Sequence, residues 1–264
     1  MNLPKCDMHI HTEYLGCAKP EMTIPAILSE CARLGMDKIA ITDHLNRPDQ
    51  LDMHKKIVAD LEDSRPDMDV YFGVELNFMS KDGPLALNEE TKRQYGFQFT
   101  ICGIHETYLD QYDLKEMIDI QHRHHISTCQ DPLVDVLVHP YWFGRGEFER
   151  KGFPPFDSMK PVPRSYAVEL GQVAAETATA IEINGGAGLI NGEGRDEFAR
   201  EYVEYLAIIA EQGPMFTIAS DAHRVEGLKD AEDARNVAQK LGLAPERIWL
   251  PACEPMFGPD RRSN

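Results

Sequence analysis

The sequence predicts an α/β chain whose parallel strands close into a (β/α) barrel, and three observations predict it. Seven or eight short apolar runs alternate with amphipathic helical stretches along the chain. Polar residues gather where those runs end, reading H-x-H, D-H, E, H, H, N and D-x-H in order. The length, 264 residues, is one that α/β barrels fill as a single unit. Strand–helix alternation implies parallel strands joined by right-handed crossovers. That leaves an open doubly wound sheet or a closed barrel, and the strand-end residues decide for the barrel, because barrel chemistry collects where the βα loops begin.

The first strand ends at His9, and period-two alternation turns His9 and His11 to one side. Thr23 then caps a helix with Pro25 in its first turn. Ile24, Ile27, Leu28, Cys31 and Leu34 form its apolar stripe and Gly35 closes it. A buried strand over 38–42 ends at Asp43-His44, and a helix over 51–63 turns Ile57, Val58 and Leu61 inward. A strand over 70–74 delivers Glu75; a turn at 80–83 and a weakly marked helix follow. The strand over 97–104 delivers His105, and a helix over 114–129 leads to a strand over 134–138 that delivers His139. Residues 143–163, rich in Gly, Pro and charge, read as a long irregular lid or substrate loop. After a helix over 165–177, the strand 180–183 reaches Asn184-Gly185-Gly186. A helix over 196–212 carries Phe198, Tyr202, Tyr205, Leu206 and Ile209 on one stripe, and a strand over 215–219 delivers Asp221 and His223. A last helix (230–241) and a short strand (247–250) complete the pattern. No repeat, linker or low-complexity segment interrupts it, so residues 1–264 read as a single domain.

With 27 Lys plus Arg against 44 Asp plus Glu, the net charge is −17. Such a field repels nucleic acid and anionic membrane, and a small anionic substrate then needs a local reversal of sign that bound divalent metals supply. No apolar stretch has the form of a signal peptide or approaches the roughly 20 residues of a membrane span. Six cysteines are scattered without C-x-x-C spacing, which fits reduced thiols in a cytoplasmic protein. Cys31, Cys102 and Cys129 sit among apolar neighbours and read as core.

Six of the ten histidines (His9, His11, His44, His105, His139 and His223) fall at or just beyond a strand end. The other four, His54, His122, His124 and His125, fall on helices and read as solvated surface. Glu75 and Asp221 share the ring of strand ends, where carboxylates bridge metal ions and offset their charge. Six imidazoles and two acids exceed what one ion can use. Two or three divalent transition metal ions follow, and imidazole with carboxylate suits Zn, Fe and Mn alike. Two ions about 3.5–4 Å apart activate water and stabilise in-line displacement at phosphorus.

H-x-H at 9–11, Thr-Asp-His at 42–44, Gly-Val-Glu at 73–75, Gly-x-His at 103–105, Val-His-Pro at 138–140 and Ser-Asp-Ala-His at 220–223 resemble the PHP (polymerase and histidinol phosphatase) family. The resemblance runs in order over nearly the whole chain. It implies a distorted (β/α)7 barrel, TIM-like, with a trinuclear centre and phosphoesterase activity. Carried over by motif, His9 and His11 hold the first metal with Asp221 and Glu75; Glu75 bridges to a second held by His105 and His139; His44 and His223 take the third. The family offers His or Asp for that third metal eight residues after the first His, where this chain has Cys17. A thiolate is a good zinc ligand. Glu13 is an alternative donor, and a small residue packing beside the barrel mouth is the structural alternative.

The activity expected is hydrolysis of a small phosphomonoester, histidinol-phosphatase-like, by a metal-activated hydroxide, with Glu75, Asp221 and His223 as the catalytic set. Asp7 and Asp43 either orient a ligand imidazole or cap a strand end. Arg224, Arg145 and Arg195, with Asn184, are the candidates for holding the substrate, a small phosphorylated metabolite; Tyr141 and Trp142 either stack on it or pack in the core. Two rivals stand beside this reading. A metal-dependent amidohydrolase also opens on H-x-H but adds a bridging lysine after a middle strand, and the only lysine near a strand end after His11 is Lys81, in a loop. A non-catalytic metal-binding regulatory protein would carry a degenerate centre, for which Cys17 is the one indication.

Overall fold

The structure, a computed structural model, describes residues 2–81, 83–143, 145–187, 189–190 and 195–259. The strands are β1 (Cys6–Ile10), β2 (Lys38–Ile41), β3 (His44–Leu45), β4 (Asp69–Leu76), β5 (Phe99–Cys102), β6 (Val136–Leu137), β7 (Ala180–Asn184) and β8 (Phe216–Ala219). The helices are α1 (Ile24–Leu34), α2 (Leu51–Ser64), α3 (Glu89–Tyr95), α4 (Leu114–Gln130), α5 (Arg145–Lys151), α6 (Arg164–Thr177), α7 (Asp196–Ala210) and α8 (Asp230–Lys240). Every ladder is parallel, in the order β1-β2-β4-β5-β6-β7-β8, and two-residue β3 pairs beside the end of β4.

The sheet curls into a nearly closed seven-stranded barrel, as the alternation predicts. At the seam β1 and β8 are joined by the Asp221 amide donating to the His9 carbonyl (2.9 Å) and the His11 amide to the Ala222 carbonyl (3.2 Å). The buried Asp7 carboxylate completes the join, accepting from the amides of Ser220 (2.9 Å) and His9 (3.3 Å). β1, β7 and β8 are buried along their whole length, because helices cover the outside and side chains fill the inside. Each fully buried Ile, Leu or Phe contributes about 1.5–3 kcal/mol. The cap expected for α1 is present: Thr23 Oγ1 accepts from the Ala26 amide (3.3 Å), and Gly35, at φ 70°, ends the helix.

Several expectations are corrected. Residues 247–250 form no strand; one parallel bridge links Ile248 to Phe216, and Pro245 and Pro251 on either side keep the ladder from extending. Residues 143–163 are not wholly irregular, since they contain α5. Glu147 anchors that helix, its buried carboxylate accepting from the Thr107 amide (3.1 and 3.0 Å), the Thr107 hydroxyl (2.8 Å) and Lys151 (2.7 Å). Glu201 holds the far end of the segment, accepting from the Ser158 hydroxyl and the Met159 amide, both at 2.8 Å.

The four helical histidines are buried rather than solvated. His54 packs edge-on against Phe97 and reaches the His44 carbonyl (3.2 Å), and its burial pushes its pKa down to about 4. His122 stacks on Tyr166 at 3.8 Å, His124 on Phe78 at 4.6 Å, and His125 meets the edge of Tyr141. The aromatic face of a neutral imidazole suits this interior as well as it suits water. Among the described residues no helix is long and apolar enough to cross a membrane.

Candidate metal centre

All six strand-end histidines, Glu75 and Asp221 converge at one end of the barrel. β4 runs to Leu76, so Glu75 is a strand residue pointing inward, and the β3–β4 register sets His44 directly beside it. Glu75 is wholly buried and its two oxygens face different imidazoles. Oε2 lies 2.6 Å from His44 Nδ1 and 3.4 Å from both His9 Nε2 and His11 Nε2. Oε1 lies 3.2 Å from His105 Nε2 and 3.1 Å from His139 Nε2. Asp221 Oδ1 stands 3.5 Å from His9, 3.3 Å from His11 and 3.5 Å from His223.

Among the described residues three groups bring donor atoms within 4.8 Å of one another: His9, His11 and Asp221; His44, Glu75 and His105; and His11, Cys17, His44 and His223. Glu13 and His139 fall outside all three, although His139 Nε2 lies 3.1 Å from Glu75 Oε1. The donor set fits cations. His9 Nε2 and His11 Nε2 face each other at 2.9 Å, Glu75 Oε2 meets His44 Nδ1 at 2.6 Å, and buried His11 Nδ1 has no hydrogen-bond partner among the described residues. Leaving such atoms unsatisfied costs about 1–3 kcal/mol each, a cost that a shared cation removes. The electrostatics agree. Burial alone would raise the Glu75 carboxyl, but His44, His105 and His9 hold it well below the usual carboxylate range. Asp221 is likewise held down against burial, chiefly by His9. Burial lowers His9, yet Asp221, Glu182 and Glu75 outweigh it and raise the ring, whereas burial and neighbouring His44 lower His11.

The loops around the centre are held in uncommon backbone conformations. His139 (φ 30°), Tyr141 (φ 61°) and Asp221 (φ 55°) are non-glycine residues in the left-handed region, at about 1–3 kcal/mol each. Gly103 is needed for close approach: a Cβ there would lie 3.0 Å from Glu75 Oε1 and 3.0 Å from His105 Cε1, and closer still to His139.

The residues that orient the imidazoles are ones the motifs do not reveal. Glu182, buried on β7, accepts from His9 Nδ1 (2.8 Å) through one oxygen. Through the other it accepts from the His139 amide (2.8 Å) and from Asn184 Nδ2 (3.0 Å). Asn77 accepts from His105 Nδ1. The available signal was period two: Glu182 alternates with Asn184 along Ala-Ile-Glu-Ile-Asn, and Asn77 follows Glu75 by two. Asp7 and Asp43 orient no imidazole. Asp7 ties the seam, and Asp43 accepts from the Thr12 amide (3.1 and 3.2 Å) and hydroxyl (2.9 Å), fixing the chain just past His11.

The centre opens into a cavity of about 1310 Å³ whose lining includes Trp142, Phe143, Phe156, Lys19 and Arg224. Arg224 is exposed there. Arg195 also lines it, but its guanidinium donates to the Phe156 carbonyl (3.0 Å) and stacks 3.9 Å over Phe198, so packing engages it. Asn184 turns inward, donating to Glu182 and to Asp221 (3.3 Å) and accepting from the amides of Gly186 and Ala187; this set positions Asp221 and leaves no group aimed at a ligand. The Arg145 side chain lies outside the described residues. Tyr141 is buried in the core, and Trp142 lies against the His105 and His139 rings at 5.2 and 5.3 Å.

The PHP domain matches residues 7–218. A protein of Syntrophotalea carbinolica named probable phosphatase is 24% identical over 244 residues, covering 92% of this chain and 90% of that one. A second protein of that name, from Enterobacter sp. (strain 638), is 24% identical over 249 residues, covering 92% of this chain and 88% of its own. Among solved structures, a Listeria monocytogenes protein named as a histidinol phosphatase superposes with a TM-score of 0.53 at 12% identity, over 85% of this chain and 97% of that one, which speaks for a shared fold. With its motifs in family order and the domain matched over most of its length, the chain belongs to the PHP family.

Proposed function

We propose that this protein is a metal-dependent phosphoesterase that hydrolyses a small phosphomonoester. The observation that carries the reading is Glu75, whose two oxygens are shared among five imidazoles from four strand ends, an arrangement that suits a carboxylate bridging two cations. His9, His11 and Asp221 would hold one ion, His105 and His139 would hold a second across Glu75, and His44, His223 and Cys17 would offer a third position. When bound, divalent ions supply the Lewis acidity that makes water nucleophilic near neutral pH and offset charge on the phosphoryl oxygens. The protein's own groups do the rest. Glu182 fixes the His9 tautomer so that Nε2 faces the centre. Asp221 and His223 line the cavity, where the His223 imidazole would place a proton near the leaving alkoxide. Arg224 is the exposed cation beside His223 for the phosphate. The negative surface favours a small metabolite, neutralised locally, over a nucleic acid.

The test is phosphate release from p-nitrophenyl phosphate and a panel of metabolite phosphomonoesters that includes histidinol phosphate. Turnover is expected with metal present, and none after exhaustive chelation or in His9→Ala and Glu75→Ala. Full metal occupancy without turnover on any ester would instead favour a non-catalytic metal-binding role.

A further inference from the structure

One corner of the centre differs chemically from the rest. His9, His11 and Asp221, and likewise His44, Glu75 and His105, mix imidazole with carboxylate. The third group is His11, Cys17, His44 and His223, four donors within 4.8 Å and no oxygen among them. We infer that Cys17, His44 and His223, with His11 beside them, form a thiolate-containing position that selects zinc against manganese, so that the centre would hold two kinds of ion. The inference rests on the metal-dependent reading above and adds to it a division of labour between positions.

Ligand chemistry carries it. Two neutral imidazoles and a thiolate, with a fourth place open, make a set that suits Zn²⁺, while carboxylate oxygens suit Mn²⁺. The position is also prearranged. Thr12, clamped by Asp43, caps the turn Glu13–Leu15, and Gly16 at φ 72° reverses the chain so that Cys17 comes back over the histidines. The Lys19 amide donates to the His223 carbonyl (2.8 Å), tying the cysteine loop to the histidine loop. His11 is wholly buried, and its Nδ1 has no hydrogen-bond partner among the described residues. Cys17 itself is exposed on the cavity wall, so an ion and a thiol reagent can both reach it. On binding, the sulfur–metal bond forms as the thiol proton leaves to solvent.

That accessibility supplies the test. Of the six cysteines only Cys17 and Cys253 are exposed, so full-length Cys253→Ser presents Cys17 as its one accessible thiol. In chelator-stripped protein at mildly alkaline pH, Cys17 is expected to react with Ellman's reagent at a slow, measurable rate, because burial and the Asp43 and Glu75 carboxylates push its thiol up. With excess Mn²⁺ its rate is expected to stay within about twofold, and one equivalent of Zn²⁺ added to that manganese-loaded protein is expected to slow it by on the order of tenfold or more. Elemental analysis after dialysis should find one tightly held zinc per chain, lost in Cys17→Ser with manganese retained. Cys17→Asp should keep the total ion count and lose the zinc preference. If ions bind but the thiol reacts equally fast with zinc, or if Mn²⁺ protects it as well, this inference is overturned while the bridged pair stands. If no ion binds at all, the metal-dependent phosphoesterase reading falls with it.

Discussion

Substituting alanine at Gly103 tests how tightly the donor set is packed. The new Cβ would sit 3.0 Å from Glu75 Oε1 and from His105 Cε1, with His139 Cε1 nearer. Non-bonded carbons rest about 3.5–4.0 Å apart, so the first two groups must retreat by roughly 0.5 Å and the third by about twice that. The three clashing side chains come from β4 and from the loops after β5 and β6, so no single rotamer change relieves them. The backbone cannot retreat either, because the Gly103 amide is bonded to the Leu76 carbonyl (3.2 Å). Overpacking of this kind costs about 1–3 kcal/mol, which a domain stable by about 5–15 kcal/mol survives. A misplacement near 1 Å in a reacting constellation costs about 100-fold in rate. We therefore expect Gly103→Ala to fold, with unchanged far-ultraviolet circular dichroism, to bind metal more weakly, and to lose about 100-fold in kcat. Gly242→Ala is the control: its φ of 69° strains a Cβ, but nothing lies within 4 Å, so stability drops by about 1–2 kcal/mol and kcat holds. A Gly103→Ala protein with parental kcat and ion content would show that the rings have slack, and the packing account would be wrong.

Three further outcomes are expected. Glu182→Gln cannot accept from both His9 and the His139 amide as the carboxylate does, so metal affinity should fall 10–100-fold in chelator competition with the fold intact; unchanged affinity would remove Glu182 from the centre's support. Glu201 is held down to about 2, because the Ser158 hydroxyl, Lys160 and the Met159 amide outweigh its burial. Its folded value lies below the unfolded one, so its contribution is whole above about pH 4.5 and lost as pH falls towards 2; urea midpoints should decline across that window in the parent and less steeply in Glu201→Gln, and parallel declines would refute the assignment. Thr23→Ala should cost about 1 kcal/mol in the same assay without altering turnover, since it removes one helix cap far from the chemistry.

The barrel and the convergence of strand-end residues were legible because each depends on local periodicity: apolar runs of strand length, then a polar residue where the run stops. Glu75 shows the limit of that logic, since it lies inside β4 and points inward by alternation. Glu182 was hidden for the same reason, an acid inside an apolar run whose partners lie on β1 and after β6, over 170 and 43 residues away in sequence. The buried histidines of α4 were misread because imidazole is ambiguous between water and an aromatic interior, and only the packing of Tyr166, Phe78 and Tyr141 decides it. α5 carries a glycine and many charges, and it is held by contacts to Thr107 that no nearby residue announces.

The seam between β1 and β8 carries a consequence of its own. His9 and His11 stand on one side of that join and Asp221 and His223 on the other, so any cation held between them also fastens the first strand to the last. Loading should therefore slow amide hydrogen exchange at Ile10, His11 and Ala222 more than on the opposite wall at β5, and raise the melting temperature by mass action. On the proposed reading the chemistry and the closure of the cylinder would be one piece of hardware, and losing the ions would be a mechanical event as well as a catalytic one.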